Sequence, residues 1–393
     1  MRVVVCFFYA PFSPFRFLFS DFLEKNMPFY FVLSPICAIF AVSINIRSFL
    51  RYQKYTQMRV LIVNTSEKTG GAAVAANRLM DALNNNGVKA KMLVRDKETE
   101  DITVVSLPRS LRLQWNFLWE RWCVFWHLHF SRQRLWEVDM ATSGTDITKL
   151  REFQEADVIH LSWINQGMLS LKNIRKIIRS GKPVVWTMHD LWPATGICHY
   201  ARGCNRYASA CGNCPLLPNK GSKNDLSAKI FRRKKELYHR GAISFVTCSR
   251  WLEKQAKGSG LFVGQRITNI PNPIDTHVFC PQNQAEARLR AGLPADKHII
   301  LFVSQRVTDE RKGMRYFIEA IDRLVARYPE MKENTAIAIL GGHSEEVNLT
   351  LPSYSLGYVS DEKQIVAIYN SADAFVLPSL EDNLPNTIME SMA

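Results

Sequence analysis

Two stretches of this chain carry charged side chains where an anionic, hydroxyl-rich ligand could be held. The first is Ser304–Gly313, SQRVTDERKG. Arg306 follows an apolar run there, and Arg311, Lys312 and Gly313 precede a helical pattern. Cations beside a helix N-terminus suit a diphosphate, because side-chain charge and free N–H groups act on the same anion. The second is Pro378–Ala393, PSLEDNLPNTIMESMA, which follows the apolar run AFVL. Asp382 sits on its loop and Glu390 on its helical part, with seven residues between them. Carboxylates so spaced can meet one ligand from two sides and accept hydrogen bonds from sugar hydroxyls. Taken singly, each stretch reads equally as a solvated loop or a surface helix.

The first half of the chain adds two motifs. Gly70-Gly71 lies between a β-branched run and a helical pattern, where backbone N–H groups can approach a phosphate. It is not a G-x-G-x-x-G fingerprint, so no dinucleotide is indicated, and a plain tight turn is the alternative. TMHD, Thr187–Asp190, closes another buried run. At a strand end His189 can donate a hydrogen bond or handle a proton near neutral pH, whereas elsewhere a lone histidine is usually structural.

Four of the nine cysteines crowd into one segment as C-x5-C-x6-C-x2-C: Cys198, Cys204, Cys211 and Cys214. Thiolates at such spacing can wrap a structural zinc, with His199 as a substitute ligand. Reduced thiols, two disulfides or an iron–sulfur cluster are the alternatives. A separate segment, 109–136, holds five of the nine tryptophans. Trp115, Trp119, Trp122 and Trp126 step by four, three and four, which is one helical face, with arginines around it. That face either docks peripherally on a membrane or packs a helix against a sheet.

The elements that must place these residues alternate strand and helix. Strands are expected at Arg59–Asn64, Val88–Val94, Val158–Ser162, Val184–Met188, Ile243–Cys248 and Arg266–Ile270, separated by helices. Another series has strands at Ile299–Ser304, Ala336–Leu340 and Ala374–Leu377. The alternation predicts α/β architecture with two doubly wound parallel sheets. Residues 58–275, with a Cys-rich loop at 196–219, form one domain and 276–393 the other. The C-terminal domain is expected to be incomplete, because the chain stops inside an apparent helix. Residues 1–57 form an N-terminal extension. It either carries a membrane-spanning segment at 29–46, uncharged and followed by Arg47, Arg51 and Lys54, or is upstream sequence without a function.

At 393 residues, 47% hydrophobic and 22% charged, the chain is neither disordered nor collagen-like nor a small disulfide scaffold. Its formal charge of +14 suits an anionic partner without choosing one.

The order of GGAAVAANRL, TMHD, IPNPID (Ile270–Asp275), the Arg306/Lys312 loop and EDNLPNTIMES carries a resemblance. From Met58 onward the chain resembles a family-four retaining glycosyltransferase of the GT-B fold, of the kind that builds bacterial capsular, exopolysaccharide or O-antigen chains. The resemblance implies two Rossmann-like domains facing across a cleft, an N-terminal acceptor domain and a C-terminal nucleotide-sugar domain. It implies that Arg306 and Lys312 neutralise the diphosphate of a UDP- or GDP-sugar, and that Glu390 holds the ribose. Asp382, where the family usually has Glu, would face the donor sugar. His189 would lie near the reacting centre and Gly70-Gly71 near the phosphates. The Arg306-to-Lys312 spacing is one residue longer than the commonest one.

Transfer would need no metal or other cofactor, since cations and helix dipoles can stabilise the leaving diphosphate. The acceptor implied is a growing glycan, lipid-linked, with the enzyme cytoplasmic at the inner face of the membrane; no nucleic-acid partner is expected. Two rivals remain: an inactive relative or fragment that binds sugar nucleotide without turnover, and a zinc-containing nucleic-acid-binding protein.

Overall fold

The computed structural model describes residues 3–6 and 58–393, apart from 109 and 240. The 29–46 segment lies outside the described residues. Those described divide into two compact units, one ending at Pro273 and the other starting at Ile274 and including the strand near the N-terminus.

In chain order the elements begin with β1 (Val3–Cys6), β2 (Arg59–Val63), α1 (Gly71–Asn85), β3 (Lys89–Val94) and β4 (Val104–Ser106). Next come α2 (Leu111–His127), α3 (Arg151–Glu155), β5 (Val158–Leu161), α4 (Leu171–Arg179) and β6 (Val184–Met188). The first unit closes with α5 (Leu226–His239), β7 (Ile243–Thr247), α6 (Arg250–Lys257) and β8 (Arg266–Asn269). The second unit holds α7 (Gln284–Ala291), β9 (His298–Arg306), α8 (Met314–Arg327), α9 (Met331–Asn334) and β10 (Thr335–Gly342). It continues through β11 (Ser353–Gly357), α10 (Glu362–Ser371), β12 (Ala374–Leu377) and α11 (Asn386–Met392).

Among the described residues the first unit has a parallel sheet in the order β4-β3-β2-β5-β6-β7-β8. Its central strands are buried on both faces, as parallel sheets require, while the edge strands β4 and β8 are partly exposed. Leu61, Val63, Ile159, Leu161 and Trp186 enter one core with α4, α5 and α6. Val60, Ile62, Met92, Val158 and Val185 enter the other with α1. Neighbouring residues of one strand thus serve opposite layers, and each buried aliphatic side chain contributes about 1.5–3 kcal/mol. The second unit repeats this with β1-β12-β9-β10-β11, also parallel. Leu301, Ala338 and Phe375 pack on α10 on one side. Phe302, Ile337 and Ile339 pack on α8 on the other.

Strand order reverses once in each sheet, between β2 and β5 and between β9 and β12. Ligands of open α/β sheets bind outside the carboxyl ends of strands at such reversals.

Helix α2 turns the opposite way from a helix packed by its aromatic stripe. It buries Asn116, Glu120, Arg121 and Val124, while Trp115, Trp119, Trp122 and Trp126 stand 45–62% exposed. Most of the inward polar groups find partners, although Arg121 Nε is buried without one. Arg121 pairs with buried Asp139 at 2.7 Å. Glu120 accepts the N–H groups of Met140 and Thr142 at 2.9 and 2.8 Å. Burial and the neighbouring Asp139 push the Glu120 carboxyl up to about 7.

Candidate functional site

In the second unit the loops after β9 and β12 meet at the reversal. Gly313 makes the junction: its φ is +76°, and a Cβ there would stand 2.0 Å from the Pro378 carbonyl oxygen. Only glycine fits both demands. The Leu380 N–H donates to the Arg311 carbonyl at 2.8 Å and completes the zip. Lys312 Nζ then reaches Asp382 Oδ2 at 2.5 Å, and Arg311 reaches Asp382 Oδ1 at 3.2 Å. The Ser379 hydroxyl donates to the same carboxylate at 3.0 Å, and Arg311 also pairs with Asp309 at 3.1 Å. Burial works to raise the Asp382 carboxyl, but the two cations and the Lys312 hydrogen bond outweigh it and hold it below the usual range. Helix α8 opens directly after Gly313. Two cations, the carboxylates of Asp382 and Asp309 and a helix N-terminus therefore converge at the reversal.

Arg306 ends β9 and is exposed, facing Gly342 in the ladder. Arg311, not Arg306, is the second cation on Asp382. Glu390 lies half-buried on α11 and accepts the Tyr369 hydroxyl at 2.9 Å. The structure thus joins Lys312 and Asp382 directly and gives Glu390 a different partner.

Gly70, Gly71 and His189 belong to the first unit. Its reversal is tied across β2 and β5: the Trp163 N–H donates to Asn64 Oδ1 at 2.9 Å, and the Thr65 N–H to the Trp163 carbonyl at 2.8 Å. His189 stands one residue past β6, with Nε2 at 2.9 Å from the Ser162 hydroxyl and Nδ1 at 3.7 Å from Cys248 Sγ. A cavity of about 20 Å³ opens beside it. Ala75 and Ala76 of α1, His160, Ser162 and Pro271 line this cavity, so the IPNPID motif and the helix after Gly71 reach the same place. Burial lowers His189 to about 4 and, with His189 nearby, His160 to about 3. At pH 7 both rings are neutral. His189 can therefore hydrogen-bond there but contributes no charge. Gly70 caps α1 at φ 93°, a left-handed backbone that favours glycine, and Gly71 is exposed.

Asp190 anchors the motif from behind. It accepts the indole N–H of Trp163 at 2.9 Å and the Trp192 N–H at 2.8 Å, and it lies 2.8 Å from His199 Nδ1. Burial opposes ionisation of Asp190, but His199 and these donors outweigh it. His199 is thus committed to a carboxylate. The four cysteines of its loop are free and line a further cavity of about 20 Å³.

Arg311 and Asp190 lie inside the sequence motifs without a role assigned to them, and Ser162 and Asn64 lie outside any motif. The signal for Arg311 was its adjacency to Lys312. Ser162 and Asn64 had no signal beyond a place near strand ends.

Two α/β units, each with a doubly covered parallel sheet and polar groups gathered at its reversal, define the architecture of the GT-B glycosyltransferases. Solved structures agree on the fold. A trehalose 6-phosphate synthase from Burkholderia multivorans superposes with a TM-score of 0.52 at 12% identity, covering 86% of this chain and 81% of that one. Anabaena HepE, solved with UDP-glucose, gives 0.51 at 14% identity, covering 86% and 78%. The model described as Glycosyltransferase Family 4 matches residues 69–278, and that described as Glycosyl transferases group 1 matches 297–393. The chain belongs to glycosyltransferase family 4. The putative colanic acid biosynthesis glycosyl transferase WcaC of Escherichia coli is 23% identical over 243 residues, 60% of this chain and 56% of that protein. A phosphatidyl-myo-inositol mannosyltransferase of Mycolicibacterium smegmatis is 29% identical over 179 residues, 43% of this chain and 42% of that protein. The matched segments span about half or less of these curated relatives. Among the described residues no helix is long and apolar enough to cross a membrane.

Proposed function

We propose that this chain transfers a sugar from a UDP- or GDP-sugar to a growing glycan on a lipid-linked acceptor, with retention of configuration and without a catalytic metal. The observation that carries this reading is the Arg311–Lys312–Asp382 cluster at the β9/β12 reversal, ahead of α8. A donor diphosphate takes over the cations that Asp382 now holds. Negative charge grows on the leaving oxygen as the glycosidic bond breaks, and Lys312, Arg311 and the α8 N-terminus stabilise it. Asp382, released, turns to the hydroxyls of the donor sugar. Glu390 accepts from the ribose, with the Tyr369 hydroxyl setting its rotamer. Neutral His189 donates or accepts a hydrogen bond on the acceptor side. The relatives' names support the class: one is called a colanic acid biosynthesis glycosyl transferase and another a phosphatidyl-inositol mannosyltransferase.

The outward aromatic face of α2 supports a lipid-linked acceptor. Trp115, Trp119, Trp122 and Trp126, with exposed Arg112 and Arg132, suit the headgroup region of an anionic leaflet, which supports a position at the cytoplasmic face of the membrane. Vesicles containing anionic lipid should sediment with the chain and fail to do so with Trp119→Ser/Trp122→Ser.

Thermal shift against a panel of nucleotide sugars tests the donor site. One UDP- or GDP-sugar should raise the melting temperature, and Lys312→Ala and Glu390→Ala should abolish the rise. A folded chain that no nucleotide sugar stabilises overturns the reading. Binding without nucleotide release returns the inactive-relative alternative.

A further inference from the structure

The Cys-rich loop plays no part in the transfer chemistry, yet its geometry is specific. Cys198, Cys204, Cys211 and Cys214 all line one cavity, and none is in a disulfide. The segment is shaped to turn sulfurs inward. Arg202 and Gly203, just before Cys204, have φ of 48° and 78°. Gly212 and Asn213, just before Cys214, have φ of 149° and 47°. Left-handed backbone at Arg202 is uncommon for a non-glycine residue, whereas Asn213 takes it readily. The sulfurs also receive backbone donors. The Gly196 N–H reaches Cys211 Sγ at 3.3 Å, and Cys214 accepts from the N–H groups of Leu216 and Leu217. Donors of this kind spread the charge of a metal-bound thiolate and orient it.

We propose that these four cysteines bind one structural zinc ion. Four sulfur ligands select zinc or an iron–sulfur cluster. Of the two, zinc needs only the four sulfurs that line this one cavity, whereas a cluster also brings its own iron and sulfide. Among the described residues, the group with ligand atoms all within 4.8 Å of one another is His343, Glu345 and Glu346, none of them buried, so no three of the four sulfurs are yet that close. Binding draws them to the edge of about 3.8 Å that tetrahedral 2.3 Å bonds impose. Each thiol gives up its proton to solvent, so four protons leave as four Zn–S bonds form and the site takes a charge of −2. Arg206 lines the cavity, and its charge opposes that of the site.

The ion has a positioning role. It fastens the loop whose His199 lies 2.8 Å from Asp190, the neighbour of His189. It also fastens the Val138–Cys198 bridge, next to Asp139 and the inward face of α2. The inference stands apart from the transfer reading, because it predicts bound metal whether or not sugar is transferred.

Metal analysis of the intact chain, purified from zinc-supplemented culture, should find about one zinc per molecule. Cys211→Ser and Cys214→Ser should lower it at least tenfold, and Cys280→Ser should leave it unchanged. Because a cysteine variant can fail to fold, the wild-type chain supplies a second measurement. After exchange with cobalt alone it should show thiolate charge-transfer absorption and the intense visible bands of a tetrahedral site. A folded chain free of metal, with these four thiols open to titration, overturns the proposal. So does a mass four hydrogens short, marking two disulfides, or bound iron with visible absorption.

Discussion

At the β2/β5 reversal of the first unit the polar groups facing the cavity are neutral. His189 shares a hydrogen bond with Ser162, His160 lies 2.7 Å from Thr187, and both imidazoles are held uncharged by burial. At the β9/β12 reversal of the second unit the groups are ionised, with Lys312 and Arg311 clamped on Asp382. The topology is the same and the electrostatics are opposite. A neutral site can orient a hydroxyl acceptor at little cost in desolvation. A charged site can exchange one anion for another, and on the proposed reading its carboxylate keeps the cations ordered until a donor diphosphate replaces it.

The largest expected effect tests the charged side. Lys312→Ala should reduce nucleotide release from the preferred donor by about 10²–10³-fold, the cost of removing one preorganised stabiliser of the leaving group. A loss under fivefold would erase the contrast between the two sites.

Acid titration separates the units next. The folded pKa values of His189 and His160 lie below the unfolded value, so their stabilising contribution is complete above pH 6.5. It is lost as pH falls toward about 4 for His189 and about 3 for His160. That is on the order of 3 kcal/mol for His189 taken alone. Asp382, with its pKa lowered, keeps its contribution down to its ordinary pKa of 3.8 and loses it below that. Glu120 of the same unit, raised to about 7, gains stability as pH falls through this range, so the histidine contribution is read as a difference: urea unfolding between pH 7 and 4 should lose more stability in the wild-type chain than in His160→Gln. Equal pH slopes in the two chains would remove the distinction.

Gly313→Ala should destabilise the second unit by about 1–3 kcal/mol, because it forces a strained φ and a clash with Pro378. Denaturant midpoints would read it, and donor binding should weaken in parallel as the two loops part. The smallest effects belong to single hydrogen bonds. Ser162→Ala and Tyr369→Phe should each cost about 1 kcal/mol, seen in turnover with acceptor for the first and in donor affinity for the second. Equal effects of Ser162→Ala on donor and acceptor would argue against separate duties.

The strands that carry the sites were legible because buried parallel strands are continuous β-branched runs, such as RVLIV, VVWTM and AFVL. The elements not anticipated lacked that pattern. Strand β11, SYSLG, is a half-exposed edge, β4 has three residues, and α7, QAEARLRA, buries only Ala287 and Arg288. Strand β1, in the N-terminal segment, pairs with β12 and was not expected either. For α2 the periodicity located the aromatic stripe correctly but not its direction. Buried polar groups outcompeted tryptophan for the interior, because Arg121 and Glu120 each found complementary partners there.

Composition and local pattern determined the class of the protein: alternating α/β segments, two parallel sheets, and the TMHD, basic and acidic motifs placed just past strand ends. These are short-range properties, set by side-chain period and by where glycine and proline break it. Tertiary structure alone decided which charges meet. Lys312 and Asp382 are 70 residues apart and come within 2.5 Å because β9 and β12 are neighbours in the sheet and Gly313 lets their loops touch. Likewise His189 is made neutral by burial among residues from five other segments, and no local spacing encodes how much water a fold removes.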